Sequence, residues 1–321
     1  MIVSMKPPYE ITPRILKWIS SISEKIGEVN ANYLSKQTPR LRKQNRIKTI
    51  HSSLQIEGNT LTEEQITALI ENKRVVGPKK DILEVVNAIN VYEKLGEYDF
   101  LSEKHFLKAH QELMKGLMSS AGKYRKQGVG IVKGTKLEHV APPYKNVPYL
   151  IKDLFEYLKD PNELTLIKSC VFHYEMEFIH PFIDGNGRMG RLWQTLILMF
   201  EYPIFEFLPF ETLISQTQDD YYKSLAMSDK SGKSTFFIEY MLRVIDQSLE
   251  GILTYNNRVL KTIDRLEYFI TLGIKKFTRK EYMNVFKDLS SATASRDLKK
   301  GLELNLFESI GNKNKTKYSL K

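Results

Sequence analysis

Cysteine is nearly absent from this sequence. The 321 residues contain one, Cys170, so no disulfide can form within the chain. Its apolar, helical neighbourhood predicts a small buried side chain. A chain without a disulfide framework suits a reducing compartment, and we expect a cytoplasmic protein.

Long apolar segments are missing as well. The longest lies around residues 192–200, far shorter than the roughly 20 residues that span a bilayer. The N-terminal stretch shows no apolar segment followed by a cleavage site. We therefore expect neither a membrane span nor a signal peptide. The composition, 42% hydrophobic and 27% charged, is that of a globular protein, with a length that suits two or three domains.

Alternating strand patterns are rare, and helical periodicity dominates. Apolar residues recur at helical spacing over Ile82–Leu95 and Leu164–Phe178. Thr62 with Gln65 three residues later predicts a capping box. The best strand pattern is GVGIVKG at residues 128–134, which predicts a hairpin or flap, with an ordinary connecting loop as the alternative. The sequence thus predicts a mainly α fold.

The segment HPFIDGNGRMGRLW, residues 180–193, lies between two apolar helical patterns. Pro181 predicts that the first helix ends near His180, and a second helix is expected to begin near Gly187. Glycines that alternate with polar residues let successive backbone N–H groups converge, and a helix N-terminus adds more donors. The segment therefore predicts an anion site.

Four side chains give this segment its chemistry. Arg188 and Arg191 share the first turn of the second helix and suit a polyphosphate. Asp184 offers a hard oxygen ligand for Mg²⁺, and His180 suits a general base. Taken singly, each of these four side chains is typical of a helix cap or of a solvated surface charge. Together within twelve residues, they predict a nucleoside triphosphate and Mg²⁺ beside an acceptor hydroxyl.

HPFIDGNGRMGR closely resembles the Fic motif, HPFx[D/E]GNGRxxR, and matches every fixed position. The nearby YRKQGVGIVKG and HVAPPY resemble the Fic flap. The resemblance covers roughly residues 30–250. It implies a helical Fic core with a short β-hairpin flap, which would align an extended segment of a target protein by β-augmentation.

The resemblance implies a protein adenylyltransferase, which moves AMP from ATP to a Tyr, Thr or Ser hydroxyl of a target or of itself. His180 would deprotonate that hydroxyl, and Asp184 would hold Mg²⁺. Tyr221 and Tyr222 resemble the family's tyrosine pair near the adenosine, with core aromatics as the alternative. The implied nucleotide-binding residues are Asp184, Gly185, Asn186, Gly187, Arg188, Met189, Gly190, Arg191, Tyr221 and Tyr222.

HSSLQIEGNT resembles the family's inhibitory helix, [S/T]xxxE[G/N], with Ser53, Glu57 and Gly58 at the fixed places. Glu57 would form a charge-assisted pair with Arg191, the arginine that should hold the γ-phosphate. Gly58 is expected to end the helix. The plain alternative is a surface glutamate near a helix end.

The C-terminal segment carries most of the net charge. Residues 251–321 contain 15 Lys and Arg against 7 Asp and Glu, which accounts for +8 of the +10. The order of elements resembles a winged helix-turn-helix, with a helix over Thr278–Phe286 and a recognition helix over Ser291–Leu302. DNA binding or docking of another protein would each suit such a unit. The residues predicted at the DNA surface are Thr293, Ser295, Arg296, Lys313, Lys315 and Lys317.

We expect four regions: an N-terminal helical region with the inhibitory helix (1–95), the Fic core (96–250), a linker helix (251–270) and the winged helix (271–321). The alternatives to AMP transfer are a DNA-binding regulator that senses a nucleotide, removal of AMP, or transfer of another nucleotide. An intact His180 favours an enzyme, because a sensor needs the phosphate contacts but not the base. A homodimer is expected, since many relatives form dimers.

Overall fold

Most of the described chain is helical. The computed structural model describes residues 6–32, 39–133, 136–257, 262–286, 289–311 and 316–320. Across those ranges the helices and short strands confirm the expected mainly α fold. None of the helices in those ranges is both long enough and apolar enough to cross a bilayer.

The chain divides into two compact units, one of Met1–Ala31 with Lys43–Gly251 and one of Asn32–Arg42 with Ile252–Lys321. The division into four regions stays a prediction. The helices before residue 258 are α1 (Pro13–Asn32), α2 (Pro39–Ile56), α3 (Glu63–Ile70), α4 (Lys79–Glu93), α5 (Glu103–Leu113), α6 (Val147–Leu158), α7 (Thr165–Ile179), α8 (Asn186–Glu201), α9 (Glu211–Gln216), α10 (Gln218–Ser231) and α11 (Thr235–Asn257).

Helices α7 and α8 form the centre of the first unit. Most residues of both helices are buried, as expected of helices that are surrounded by others. Edge-to-face aromatic contacts tie them to α5, with the Phe106 ring centroid 5.1 Å from that of Trp193 and 6.1 Å from that of Phe172. The short loop between α7 and α8 is thus held on a rigid hairpin.

Other local sequence signals in the first unit are also confirmed. Thr62 and Gln65 form the predicted capping box at the start of α3. Gly58 has φ +87°, a conformation that glycine adopts at little cost, and it follows the end of α2. The predicted flap is an antiparallel hairpin of β1 (Gly130–Lys133) and β2 (Lys136–Val140). Cys170 is buried and free.

The second unit contains a small antiparallel sheet and three helices in its described part. Its elements after residue 261 are α12 (Thr262–Thr271), β3 (Lys276–Thr278), α13 (Arg279–Val285), α14 (Ser291–Glu303), β4 (Phe307–Ile310) and β5 (Lys317–Leu320). The strand order is β3-β5-β4. Helix α14 matches the predicted recognition helix, whereas the identity of the unit as a winged helix stays a prediction. Lys313, Lys315 and residues 258–261 of the predicted linker helix lie outside the described residues.

An ion pair crosses the core of this unit. Arg265 of α12 donates two hydrogen bonds to Asp297 of α14, at 2.5 and 2.8 Å. The Tyr282 hydroxyl donates a third, at 3.3 Å. Side chains such as Phe269 and Phe277 pack around them. A fully hydrogen-bonded pair of this kind fixes how α12 and α14 meet.

Candidate active site

The motif loop begins where α7 ends. His180 caps α7 in the left-handed conformation, with φ 49° and ψ 58°, so the helix stops where Pro181 predicts. A left-handed non-glycine residue costs roughly 1–3 kcal/mol and is kept only where its surroundings hold it. His180 also lines a cavity beside the loop. It is therefore both a helix cap and a candidate base.

Asn186 braces the loop from the other side. Its Oδ1 accepts a hydrogen bond from Phe182 N at 2.9 Å, and its Nδ2 donates to Phe182 O at 3.0 Å. Gly185 precedes it with φ +87° and begins α8 without a capping side chain. The first N–H groups of α8 are thus left facing the loop, as an anion site requires.

Arg191 is held by the end of α2. Its Nη2 donates to Glu57 Oε1 at 2.6 Å and to Ser53 O at 2.9 Å, and its Nε donates to Ser53 Oγ at 3.1 Å. Burial alone would lower the pKa of Arg191, but Glu57, together with Tyr221 and Glu177, outweighs that effect and raises it. The guanidinium is therefore charged, buried and satisfied by the helix that the sequence predicts to be inhibitory.

Arg188 points to a different set of partners. Its Nη1 lies 3.3 Å from Glu84 Oε1, and its Nη2 lies 2.9 Å from Asp184 Oδ1. Glu84 also accepts a hydrogen bond from Asn59, just beyond Gly58. The arginine thus links the motif loop to α4 and to the segment after α2, and it does not line the cavity.

Asp184 has the chemistry that a magnesium ligand needs. Half of its side-chain surface is exposed. Its Oδ1 is engaged by Arg188 and by Gly185 N, while no described residue donates a hydrogen bond to its Oδ2. Mg²⁺ is commonly bound by one or two carboxylates together with phosphates and water, so one aspartate at the cavity fits. No cluster of three or more ligand-type residues occurs in the described ranges.

The cavity brings most of the predicted residues together. It is an open space of about 210 Å³ beside the loop. The predicted residues that line it are Glu57, His180, Asp184, Gly185, Asn186, Gly187, Arg191, Tyr221 and Tyr222. Arg188, Met189 and Gly190 are buried in α8 and do not reach its wall. Their assignment to nucleotide binding therefore has no direct geometric support.

One carboxylate in the cavity wall was not predicted. Glu177 lies in α7, one turn before His180, and its Oε1 is 3.2 Å from the Tyr221 hydroxyl. That hydroxyl also lies 3.0 Å from His173 Nε2, and His173 Nδ1 meets Gln194 at 2.7 Å. Burial lowers the pKa of His173 to about 3, so this histidine is neutral. The network fixes Tyr221 in the wall.

A second neutral histidine supports the loop. His110 of α5 stacks on Phe182, with ring centroids 3.6 Å apart and planes 5° apart. Gly122 N donates to its Nδ1, so the proton resides on Nε2, which donates to Asp184 O at 3.0 Å. Burial lowers the pKa of His110 to about 4. The loop is thus fixed by a group that keeps its charge state across the neutral range.

A buried carboxyl group lies near Arg191 as well. Glu211, at the start of α9, is fully buried, and neither of its oxygens has a hydrogen-bond partner among the described residues. Desolvation raises the pKa of Glu211 to about 8, although the charge of Arg191 opposes the rise. Arg191 is instead paired directly with Glu57.

The sequence did carry a weak signal for the missed carboxyl groups. Glu84 and Glu177 interrupt apolar helical patterns, ILEVVNAI and YEMEFI. A charge on the buried face of a helix is costly unless it is paired. The signal predicts a partner for each group, but it does not say which one.

Comparison with known sequences points to one family. The sequence pattern of the Fic/DOC family matches residues 100–198. The protein adenylyltransferase fic-1 of Caenorhabditis elegans is 28% identical over 247 residues, which are 73% of this chain and 46% of that protein. The protein adenylyltransferase Fic of Nematostella vectensis is 29% identical over 218 residues, 64% and 48% of the two chains. The chain spans about half the length of these relatives.

Solved structures agree with this result. A Fic family protein from Desulfovibrio desulfuricans G20 is 41% identical, with a TM-score of 0.77, and the match covers 99% of this chain and 98% of that one. Fic-1 of C. elegans (residues 134–508) gives a TM-score of 0.62 at 22% identity over 75% of this chain and 72% of that one. The second match supports the fold alone.

Proposed function

This chain belongs to the Fic family, and on that premise we propose that it transfers AMP from ATP to a Tyr, Thr or Ser hydroxyl of a protein and is held inactive by Glu57. The observation that carries the proposal is the shared wall of one cavity. The candidate base, His180, the N-terminus of α8 and the guanidinium of Arg191 all line it. A nucleotide sensor would need the last two features without the base.

In the proposed reaction, the acceptor hydroxyl gives its proton to His180 as its oxygen attacks the α-phosphorus. A bond forms between that oxygen and phosphorus, the bond from phosphorus to the β-phosphate bridge breaks, and pyrophosphate leaves. Charge builds on the α-phosphate oxygens, where the N–H groups at the start of α8 stabilise it. Asp184 would hold Mg²⁺, which neutralises phosphate charge when bound.

Glu57 would act as the inhibitor by occupying Arg191. A carboxylate 2.6 Å from Nη2 takes the position that a γ-phosphate oxygen needs. ATP would then bind with its phosphates displaced, and the α-phosphorus would not be in line with the acceptor. Glu57 is partly exposed, whereas Arg191 is buried. The glutamate is therefore the partner that is able to leave.

The proposed activity is tested by where a radiolabel goes. We expect that the protein with Glu57→Gly, incubated with Mg²⁺ and a cell lysate, transfers label from ATP labelled at the α-phosphorus. ATP labelled at the γ-phosphorus should leave the acceptor proteins unlabelled by this enzyme, because pyrophosphate is the leaving group. Parallel reactions with α-labelled GTP, CTP and UTP test the base. Transfer of label from another nucleotide would identify that nucleotide as the donor in place of ATP. Release of AMP from prelabelled proteins would favour removal of AMP.

We also propose that the second unit binds duplex DNA. The specific observation is the exposed face of α14, which presents Ser295, Arg296 and Lys299 without an acidic side chain among them. Arg279 of α13 lies beside this face, with its Nη1 3.1 Å from Ser295 Oγ. Hydroxyl and basic side chains of this kind contact DNA phosphates.

The homodimer and the cytoplasmic location stay predictions.

Removing two charges from this face should weaken DNA binding in a salt-dependent way. We expect Arg296→Ala/Lys299→Ala to reduce the slope of log affinity against log salt by about 2, since each basic residue accounts for about one phosphate contact. Fluorescence anisotropy with labelled duplex DNA measures the slope. The control Lys152→Ala/Lys159→Ala removes the same charge from the exposed surface of the first unit. Absence of binding by the unaltered protein at low salt would exclude DNA and leave protein docking.

A further inference from the structure

Arg125 stands out because it is a buried cation with no carboxylate partner in the described part of the chain. The residue is 3% exposed and lies between α5 and the flap. Each hydrogen bond that its guanidinium donates ends on a backbone carbonyl. Burying a charge is costly unless hydrogen bonds compensate it. The hydrogen bonds to these carbonyls compensate the buried charge, and they tie Arg125 to the backbone segments that carry them.

Two of these bonds hold the end of α7. Arg125 Nε donates to His180 O at 2.8 Å, and Nη2 donates to Ile179 O at 3.2 Å. In addition, Arg125 N donates to Pro181 O at 2.9 Å. The last carbonyls of a helix lack partners within the helix and carry partial negative charge, which favours a cation there. These contacts hold the backbone of His180 in its left-handed conformation.

The other bonds hold the flap. Nη1 donates to Gln127 O at 2.9 Å, and Nη2 donates to Pro142 O at 2.5 Å. Gln127 precedes β1 and Pro142 follows β2, so one guanidinium is hydrogen-bonded to both ends of the hairpin. The planar group has donors in a fixed fork. It therefore sets the base of the flap at a defined distance from His180.

We propose that Arg125 is a positioning residue that fixes the position of the flap relative to His180. An acceptor aligned on the flap then presents its hydroxyl to the base. This inference rests on the proposed function, because it needs an acceptor and a base. Arg125 does not itself line the nucleotide cavity, and none of its hydrogen bonds ends on a side chain that would hold phosphate. Its loss should therefore affect the rate of transfer and leave ATP binding nearly unchanged.

Kinetics of variants in the Glu57→Gly background test the catalytic part. We expect Arg125→Ala to lower kcat for AMP transfer about 100-fold, since a displacement of about 1 Å has that effect on oriented reactants. Arg125→Lys should recover part of the rate, because one ammonium cannot span both the flap and α7. KM for ATP should change less than about twofold. The control Arg14→Ala removes an arginine with an exposed side chain and should have no effect.

Hydrogen exchange tests the clamp without any reaction. We expect peptides covering residues 126–130, 140–144 and 179–184 to exchange faster in Arg125→Lys and Arg125→Ala, with the rest of the first unit unchanged. Equal exchange in folded variants would overturn the proposal, as would a loss of ATP affinity in parallel with kcat. If the Glu57→Gly parent transfers no AMP, the proposed function fails, while the exchange measurement still decides whether Arg125 holds the flap and His180 together.

Discussion

Replacing Glu57 by glycine will raise the rate of AMP transfer about 10- to 150-fold. Hydrogen bonds to charged groups contribute about 1.5–3 kcal/mol, and each 1.4 kcal/mol corresponds to a factor of about ten in rate. The substitution removes the carboxylate 2.6 Å from Arg191 Nη2. It leaves the contact between Arg191 and Ser53 O, so α2 stays attached to α8. The measurement is the initial rate of label transfer from α-labelled ATP.

A matched pair of variants tests whether activation requires loss of the Glu57 charge and whether the loss must occur at this position. Glu57→Gln keeps the shape of the side chain and should activate the enzyme less than glycine does. Glu71→Gln alters an exposed glutamate that pairs with Lys43 and Lys73, and its rate should equal that of the unaltered protein. A folded Glu57→Gly protein with an unchanged or lower rate would contradict the inhibitory role.

Replacing His180 by alanine in the Glu57→Gly protein will lower the rate of AMP transfer about 10²- to 10⁴-fold, the usual contribution of a positioned general base. ATP should still bind, because the start of α8 and Arg191 do not depend on the imidazole. The left-handed backbone at this position is held through the His180 carbonyl, which Arg125 contacts. Alanine should therefore keep the loop. Transfer rates and ATP affinity by calorimetry together check this result.

His105→Ala serves as the control for this substitution. His105 accepts a hydrogen bond from Asp99 N and does not line the cavity, so its loss should leave AMP transfer unchanged. If the His180→Ala protein transferred AMP as fast as its parent, His180 would be a helix cap alone. If Glu57→Gly itself showed no transfer but bound ATP, the sensor interpretation would be favoured over the enzyme.

The two substitutions act on elements that are far apart in the chain. Glu57 lies 134 residues before Arg191, whereas His180 is joined to α8 by a short loop. The proposed base and phosphate site are thus built by one rigid hairpin, and the proposed inhibitor comes from a separate helix. Under the proposed function, this arrangement would let α2 block the site without altering the loop that is proposed to perform the chemistry.

Local signals in the sequence were sufficient for much of this molecule. The helical periodicity of α4 and α7, the capping box at Thr62, and the helix end before Pro181 all follow from backbone sterics and from apolar spacing within a few residues. The hairpin flap followed from a short alternating pattern. The kinds of side chain needed for a phosphate site were also visible, because HPFIDGNGRMGR collects them in one segment.

Contacts between helices determined which side chains meet, which the sequence predicted only in part. Arg188 and Arg191 look equivalent in the sequence, yet Arg191 faces the cavity and Arg188 meets Glu84 and Asp184. Residues three apart are neighbours on a helix, so spacing alone does not separate them, and the difference arises from the partners that packing brings to each side chain. The roles of Arg125, His110 and Glu177 likewise depend on partners that only the packed helices bring within hydrogen-bond distance. Sequence determined which chemical groups are present and where helices begin and end. Tertiary structure decided which charges meet, because desolvation makes a buried group depend on the partner that packing supplies.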